Sequence, residues 1–126
     1  MKTVILDTNF LLIPGYFGVD IIDEIDKLLG TYELAIVDKT FRELEQVGQK
    51  GKEKKAVQLA YKIIENNKIN IVETNDFRHV DAIILDMVTE DHVVATQDRA
   101  FKAKLKAKGI PVIILRQKRY LQLVEA

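Results

Sequence analysis

Four acidic residues stand at separated positions that an α/β fold would bring together: Asp7, Glu43, Asp81 and Asp98. Two of them follow apolar runs, and the other two lie near the starts of helical patterns. Carboxylates gathered at one place repel each other unless a positive charge lies between them. Oxygen ligands of this kind suit hard cations such as Mg²⁺ and Mn²⁺. The four residues therefore predict a divalent metal site.

Three of the carboxylates also have a structural explanation. Asp7 and Asp98 are placed to cap helices by accepting hydrogen bonds from first-turn N–H groups. Asp81 lies early in its predicted helix, where a negative charge is favoured by the helix dipole. Taken singly, each residue is explained as well by a structural role as by a functional one.

Glu43 has the sharpest structural alternative. Thr40 and Glu43 have the spacing of a capping box, in which the glutamate reaches back to the backbone N–H of the cap. If Asp38 is the cap instead, Glu43 lies one turn into the helix and is free to face the strand edge. The sequence leaves both possibilities open.

Three short polar residues neighbour the carboxylates: Thr8, Asn9 and Thr96. Side chains that hydrogen-bond to metal ligands fix the orientation of those ligands. We therefore predict that these three hold the carboxylates in position, a role that helix capping alone does not require.

Apolar periodicity predicts an alternation of strands and helices. Short apolar runs predict five strands, at residues 4–6, 34–37, 69–72, 93–95 and 111–115. Helical spacing predicts helices at residues 19–29, 38–47, 56–64, 80–88 and 99–108. Pro14 and Gly15 predict a break after the first strand. The alternation predicts parallel βαβ units, whose ligands bind at the carboxyl ends of the strands where strand order reverses.

Composition bounds the class of protein. The chain has 126 residues, 48% of them apolar and 30% charged, which predicts a single globular domain over residues 1–126. It lacks cysteine, so disulfides and thiolate metal sites are excluded. No stretch approaches the roughly 20 apolar residues of a membrane span, and the first residues lack the apolar region of a signal peptide. We expect a cytoplasmic protein without a membrane partner.

Four motifs in order resemble those of the PIN-domain nuclease family: LDTN at residues 6–9, FREL at 41–44, VDAII at 80–84 and ATQDR at 95–99. Each motif is weak alone, but the ordered set covers nearly the whole chain and includes every acidic position. FGVDI at residues 17–21 and PVIILR at 111–116 are similar to archaeal PIN proteins related to the nuclease that processes small-subunit ribosomal RNA.

The resemblance implies a three-layer α/β/α sandwich with a central, mostly parallel sheet, for which the pattern supplies five strands. It also implies a metal-dependent endoribonuclease that hydrolyses single-stranded RNA with one or two Mg²⁺ or Mn²⁺ ions. The catalytic, metal-binding residues would be Asp7, Glu43, Asp81 and Asp98. Asp7 and Asp98 would be the main ligands and Asp81 would share the site. Glu43 would bind a second ion or orient the attacking water.

The formal net charge is zero, so RNA would have to be bound by local clusters of basic residues. The candidates for phosphate contacts are the basic residues close in sequence to acidic motifs: Lys50, Lys52, Lys54, Lys55 and Arg99. If they bind RNA, affinity should fall steeply with salt.

Two other roles stay open at this point. The first is a PIN-like scaffold that binds RNA or protein in a ribosome-assembly complex without catalysis. The second is the toxin of a toxin–antitoxin pair, still a ribonuclease, with an antitoxin as partner. A homodimer is also compatible with the apolar residues around Pro14 to Phe17.

Overall fold

A computed structural model describes all 126 residues, and one six-stranded sheet forms its centre. The strands are β1 (Lys2–Leu6), β2 (Tyr32–Val37), β3 (Ile69–Val72), β4 (His92–Ala95), β5 (Val112–Arg116) and β6 (Tyr120–Val124). Their order across the sheet is β3-β2-β1-β4-β5-β6. The first five strands pair in parallel, and β6 pairs antiparallel with β5. The predicted α/β class with a mostly parallel sheet is confirmed.

Seven helices surround the sheet. They are α1 (Thr8–Leu11), α2 (Ile13–Phe17), α3 (Ile21–Leu29), α4 (Thr40–Gly48), α5 (Lys54–Asn66), α6 (Val80–Met87) and α7 (Arg99–Ala107). A short 3₁₀ turn at Gly51–Glu53 joins α4 to α5. Every predicted strand and helix is present, with each end within two residues of its predicted place. No helix has both the length and the apolar character needed to cross a membrane.

The apolar residues of the sheet divide between two cores. Within β1, Val4 and Leu6 face one core, whereas Ile5 faces the other. This division follows from the alternation of side chains along a strand. Residues of α1 to α5 pack on the first face, and residues of α6 and α7 pack on the second. The arrangement has the predicted three layers, α/β/α.

The prediction of five strands was wrong by one. The missed strand, β6, follows a tight turn in which Gln117 and Lys118 have positive φ values of 52° and 56°. Glycine and asparagine usually mark such a hairpin turn, and neither is present here. β6 buries Leu121. The backbone N–H of Leu121 donates to the Glu24 carboxylate on α3 (3.2 Å), and this bond links the edge of the sheet to that helix.

The predicted break at Pro14 and Gly15 was also wrong, because both residues lie inside α2. Proline is tolerated in the first turn of a helix, where its missing N–H has no partner to lose. Gly15 lies against α5, and a Cβ at this position would be 2.4 Å from Cα of Ala56. Glycine therefore permits the close packing of α2 on α5.

Candidate active site

The candidate site lies where β1 and β4 end side by side, at the point where strand order reverses. Asp7 follows β1, and its backbone N–H donates to the carbonyl of Ala95, the last residue of β4 (3.0 Å). This bond continues the pairing of the two strands by one residue. The Asp7 side chain is therefore fixed at the junction, and the residue is only 5% exposed.

The Asp7 carboxylate is buried among hydrogen-bond donors and negative charges. The Thr96 hydroxyl donates to Oδ2 (2.7 Å), and the Thr8 backbone N–H donates to Oδ1 (2.9 Å). Burial raises the pKa of the Asp7 carboxyl from its ordinary 3.8 to about 6. The two hydrogen bonds oppose this rise in pKa, and repulsion from Glu43 and Asp81 adds to it. No positively charged side chain contributes to this shift in pKa, so the charged form of Asp7 has no positive partner.

Glu43 joins the segments that follow three strands. The Thr8 hydroxyl donates to its Oε1 (2.6 Å), and the backbone N–H of Val80, at the start of α6, donates to its Oε2 (3.0 Å). The half-buried carboxylate is thus oriented by α1 and α6 while it is carried by α4. Each oxygen accepts one hydrogen bond and keeps a lone pair for another.

The capping box proposed for Glu43 does not form, and Glu43 faces the pocket although Asp38 is not the cap. The residue at the N-cap of α4 is Lys39, not Asp38 or Thr40. The Thr40 hydroxyl is buried without a hydrogen-bond partner, so no capping box forms. Asp38 accepts hydrogen bonds from Thr74 instead, through the backbone N–H (3.1 Å) and the hydroxyl (2.8 Å).

Asp98 does cap its helix, as the structural explanation predicted. Its Oδ1 accepts a hydrogen bond from the Phe101 backbone N–H (2.9 Å) at the start of α7. Its own backbone N–H donates to the Thr96 hydroxyl (3.1 Å), the group that also contacts Asp7. Asp98 is exposed, and capping occupies one of its two oxygens. The cap fixes the side chain and leaves the other oxygen for a ligand.

Asp81 completes the acidic set. It is half-buried in the first turn of α6, where its Oδ1 accepts a hydrogen bond from the Ala82 backbone N–H (2.7 Å). An acidic residue here is favoured by the helix dipole, as predicted. Its charge nevertheless acts on the site, because it raises the pKa of Asp7.

The four carboxylates line one open pocket of about 470 Å³. The other lining residues are Thr8, Asn9, Leu12, Gln46, Val47, Lys50 and His79. No group of three or more histidine, aspartate or glutamate side chains is arranged to hold a metal ion. The donor set still fits Mg²⁺ or Mn²⁺ chemically, because Mg²⁺ keeps several waters and takes only one or two carboxylates directly. The assignment of metal-binding and catalytic roles to these residues stays a prediction.

Two of the three predicted supporting residues contact a carboxylate. Thr96 contacts Asp7, and Thr8 contacts both Asp7 and Glu43. Asn9 has a different contact: its Oδ1 accepts from the Gln97 backbone N–H (3.2 Å). Asn9 therefore holds α1 against the loop that carries Asp98.

Gln97 was not predicted to support the site, but its Oε1 accepts a hydrogen bond from the backbone N–H of Leu115 in β5 (2.8 Å). The residue ties the loop after β4 to the neighbouring strand. Its position inside the fourth motif was the one available signal, because a long-range contact of this kind leaves no trace in local spacing.

The predicted RNA-binding residues divide into three locations. Lys50 lines the pocket. The residues that lie beyond it, on the 3₁₀ turn and the start of α5, are Lys52, Lys54 and Lys55. Arg99 lines a separate groove with Lys102, Lys106 and Arg116. The side chain of His79 is 93% exposed, with Nδ1 3.9 Å from the Glu43 carboxylate.

The chain is similar to known proteins along almost its whole length. A family model described as a PIN like domain matches residues 4–118. Ribonuclease VapC4 of Methanocaldococcus jannaschii is 35% identical over 98% of this chain and 97% of that protein. Ribonuclease VapC9 of Archaeoglobus fulgidus is 28% identical over 93% of this chain and 85% of that protein.

Solved structures show the same fold. The PIN domain endonuclease Utp24 superposes with a TM-score of 0.82 at 22% identity, over 98% of this chain and 92% of the other. A domain of a functionally unknown protein from Methanocaldococcus jannaschii superposes with a TM-score of 0.65 at 22% identity, over 92% of each chain. The family match and the similarity to VapC4 confirm the predicted relationship: this chain belongs to the PIN-like domain family.

Proposed function

We propose that this protein is a divalent-metal-dependent endoribonuclease that hydrolyses phosphodiester bonds of single-stranded RNA. The observation that carries the proposal is the buried Asp7 carboxylate, which lies beside Glu43 and Asp81 without a positive partner. A buried charge is strongly disfavoured unless it is paired or coordinates a metal. The names of two relatives, both ribonucleases, support RNA as the substrate.

The surroundings of each carboxylate suit it to a different role, with three aspartates as metal ligands and Glu43 beside the attacking water. Asp7, Asp81 and Asp98 would supply the oxygens that hold one or two Mg²⁺ or Mn²⁺ ions. Such an ion, when bound, would stabilise the negative charge that develops on the phosphate during hydrolysis.

Glu43 would act on the attacking water. Thr8 and Val80 fix its orientation from two sides, and each oxygen keeps a free lone pair. A carboxylate held in this way is suited to accept a hydrogen bond from a water molecule in the pocket and to orient it for attack. Lys50, which lines the same pocket, would contact an RNA phosphate.

For the biological role we propose processing of ribosomal RNA, with a toxin or a non-catalytic scaffold as the alternatives. Processing of ribosomal RNA rests on the resemblance of residues 17–21 and 111–116. A toxin would instead arrest growth on expression and be relieved by an antitoxin encoded beside it. A scaffold would bind RNA or an assembly partner tightly without metal and would not cleave. We also propose that the protein is cytoplasmic and forms a homodimer.

Cleavage of an unstructured RNA oligonucleotide tests the proposal. We expect cleavage with Mn²⁺, none with EDTA, and a loss of about 10³-fold or more in Asp7→Asn, because several kcal/mol of charge stabilisation would be lost. Asp91→Asn is the matched control, because Asp91 lies before β4, at the opposite end of the sheet, and it should cleave like the wild type. Cleavage that survives both EDTA and Asp7→Asn would show that a contaminant is responsible.

A further inference from the structure

An aromatic ring projects into solvent from the loop at residues 73–79, between β3 and α6. Phe77 in this loop is 77% exposed. The Lys39 ammonium lies 4.7 Å from the centroid of its ring. The cation covers one face, so the exposed area comes from the other face and the edges. A single exposed apolar residue needs no explanation in itself, but the backbone around this one is unusually well held.

Residues of α4 and the segment before it anchor the loop at two points. The Arg42 guanidinium donates to the carbonyls of Phe77 (3.3 Å) and Arg78 (3.0 Å). The Lys39 ammonium donates to the carbonyl of Thr74 (2.8 Å), whose N–H and hydroxyl both donate to Asp38. The ring is therefore presented to solvent by an ordered loop rather than by a loose one.

The neighbour of Phe77, Arg78, strengthens this anchoring. Its guanidinium pairs with Asp76 in the same loop and with Asp86 on α6 (2.6 Å). These pairs are partly exposed and contribute little stability. They do fix the direction in which the chain leaves Phe77 toward α6.

The loop that carries the ring runs directly into the acidic pocket, which His79 of this loop lines. Phe77 is three residues before Val80, whose N–H donates to Glu43, so their Cα atoms are at most about 11 Å apart. Two consecutive residues of α4 hold the two ends of this short segment. Arg42 donates to the carbonyl of Phe77, and Glu43 accepts from the N–H of Val80. A strand of several nucleotides bound in the pocket is therefore long enough to extend to the ring.

We propose that Phe77 stacks on an unpaired nucleobase of the RNA strand whose phosphate occupies the acidic pocket. This inference rests on the proposed function and adds a base-binding site to it. Stacking on an aromatic ring tolerates any base, because every base has a π-face. The site therefore selects unpaired RNA rather than a sequence, since a base inside a duplex is covered on both faces by its stacked neighbours.

Fluorescence of 2-aminopurine measures the stacking directly. An RNA oligonucleotide with 2-aminopurine at one of several positions is titrated in Mg²⁺ with protein that carries Glu43→Gln, alone or combined with each substitution below, because the metal site can then be filled while cleavage is slow. We expect quenching beyond that caused by neighbouring bases at one position, and its loss in Phe77→Ala. Phe77→Trp should retain the quenching. Leu59→Ala is the control, because Leu59 is an exposed apolar residue in the middle of α5, and it should match the wild type.

Kinetics with an abasic nucleotide at the same position complete the test. Phe77→Ala should raise KM about 5- to 100-fold, as expected for the loss of one stacked base, with little change in kcat. The abasic substitution should weaken wild-type binding by a similar factor and leave Phe77→Ala unaffected. Equal effects of the abasic substitution on both proteins would overturn the inference.

Three further outcomes separate this inference from its alternatives. If Phe77→Ala changes the oligomeric state measured by light scattering while the fluorescence of bound RNA is unchanged, the ring is a protein contact and the inference is wrong. If the wild type neither binds nor cleaves RNA, the proposed function fails and the inference fails with it. Normal wild-type cleavage with an unchanged KM in Phe77→Ala overturns the base-binding site alone.

Discussion

Replacing Asp7 by asparagine should stabilise the metal-free protein, by about 1–3 kcal/mol at pH 8. The Asp7 carboxyl is buried, and its pKa rises from 3.8 to about 6 on folding. A rise of this size corresponds to about 3 kcal/mol of unfavourable free energy for keeping the group charged in the folded state. Asparagine has nearly the same shape without the charge, so it removes most of this cost.

The pH dependence gives the sign of the effect. A group whose pKa is raised by folding contributes stability below its unfolded pKa of 3.8, and this contribution is lost as the pH rises through about 6. The advantage of Asp7→Asn should therefore be full above about pH 7 and disappear near pH 4, where wild-type Asp7 is protonated. Urea unfolding in EDTA across this range measures it. A variant less stable than the wild type at pH 8 would show that the charge of Asp7 stabilises the fold.

Replacing Glu43 by glutamine should lower RNA cleavage about 10²- to 10⁴-fold without unfolding the protein. The carbonyl oxygen of glutamine can still accept from the Val80 N–H, and its N–H₂ group can donate to the Thr8 hydroxyl oxygen. The contacts that orient the side chain are kept, whereas the negative charge is lost. The cleavage rate in Mn²⁺ and the urea midpoint, measured on one preparation, separate the two roles.

Glu24 offers a matched control for this substitution. Its carboxylate also accepts a hydrogen bond from a distant backbone N–H, that of Leu121, but it lies on α3 away from the pocket. Glu24→Gln makes the same chemical change and should leave the cleavage rate unaltered. If Glu43→Gln cleaves RNA at the wild-type rate, Glu43 is a structural link between α1, α4 and α6 and not a participant in the reaction.

The main elements were predictable because they depend on local patterns. Buried parallel strands are short apolar runs, and amphipathic helices repeat at helical spacing, so residues 4–6 and 19–29 marked β1 and α3 without knowledge of the fold. β6 was missed because its hairpin turn uses Gln117 and Lys118 at positive φ, which no residue preference reveals. α2 was missed because Pro14 and Gly15 indicate a break unless their packing against α5 is known.

The acidic residues of the site were predictable from the sequence. The hydrogen bonds that orient their side chains were less so. Asp7 and Asp98 follow strands, and the ends of parallel strands share one edge, so local reasoning was enough to bring them together. The contacts of Glu43 with Thr8 and Val80 span 35 and 37 residues of sequence, and no local pattern distinguishes them from a capping box. The location of Arg99 in a separate groove likewise depends on which face of α7 it occupies.

Binding of Mn²⁺, followed by the electron paramagnetic resonance of the free ion, measures whether the acidic pocket is a divalent metal site. We expect the carboxylates of Asp7, Asp81 and Asp98 to hold the ion or ions. The wild type should bind one or two ions per chain, and Asp7→Asn and Asp98→Asn should each weaken binding at least 10- to 100-fold, by the scale of known metal-site substitutions. Asp91→Asn should bind like the wild type. Identical Mn²⁺ binding curves for the wild type and Asp7→Asn would contradict the account.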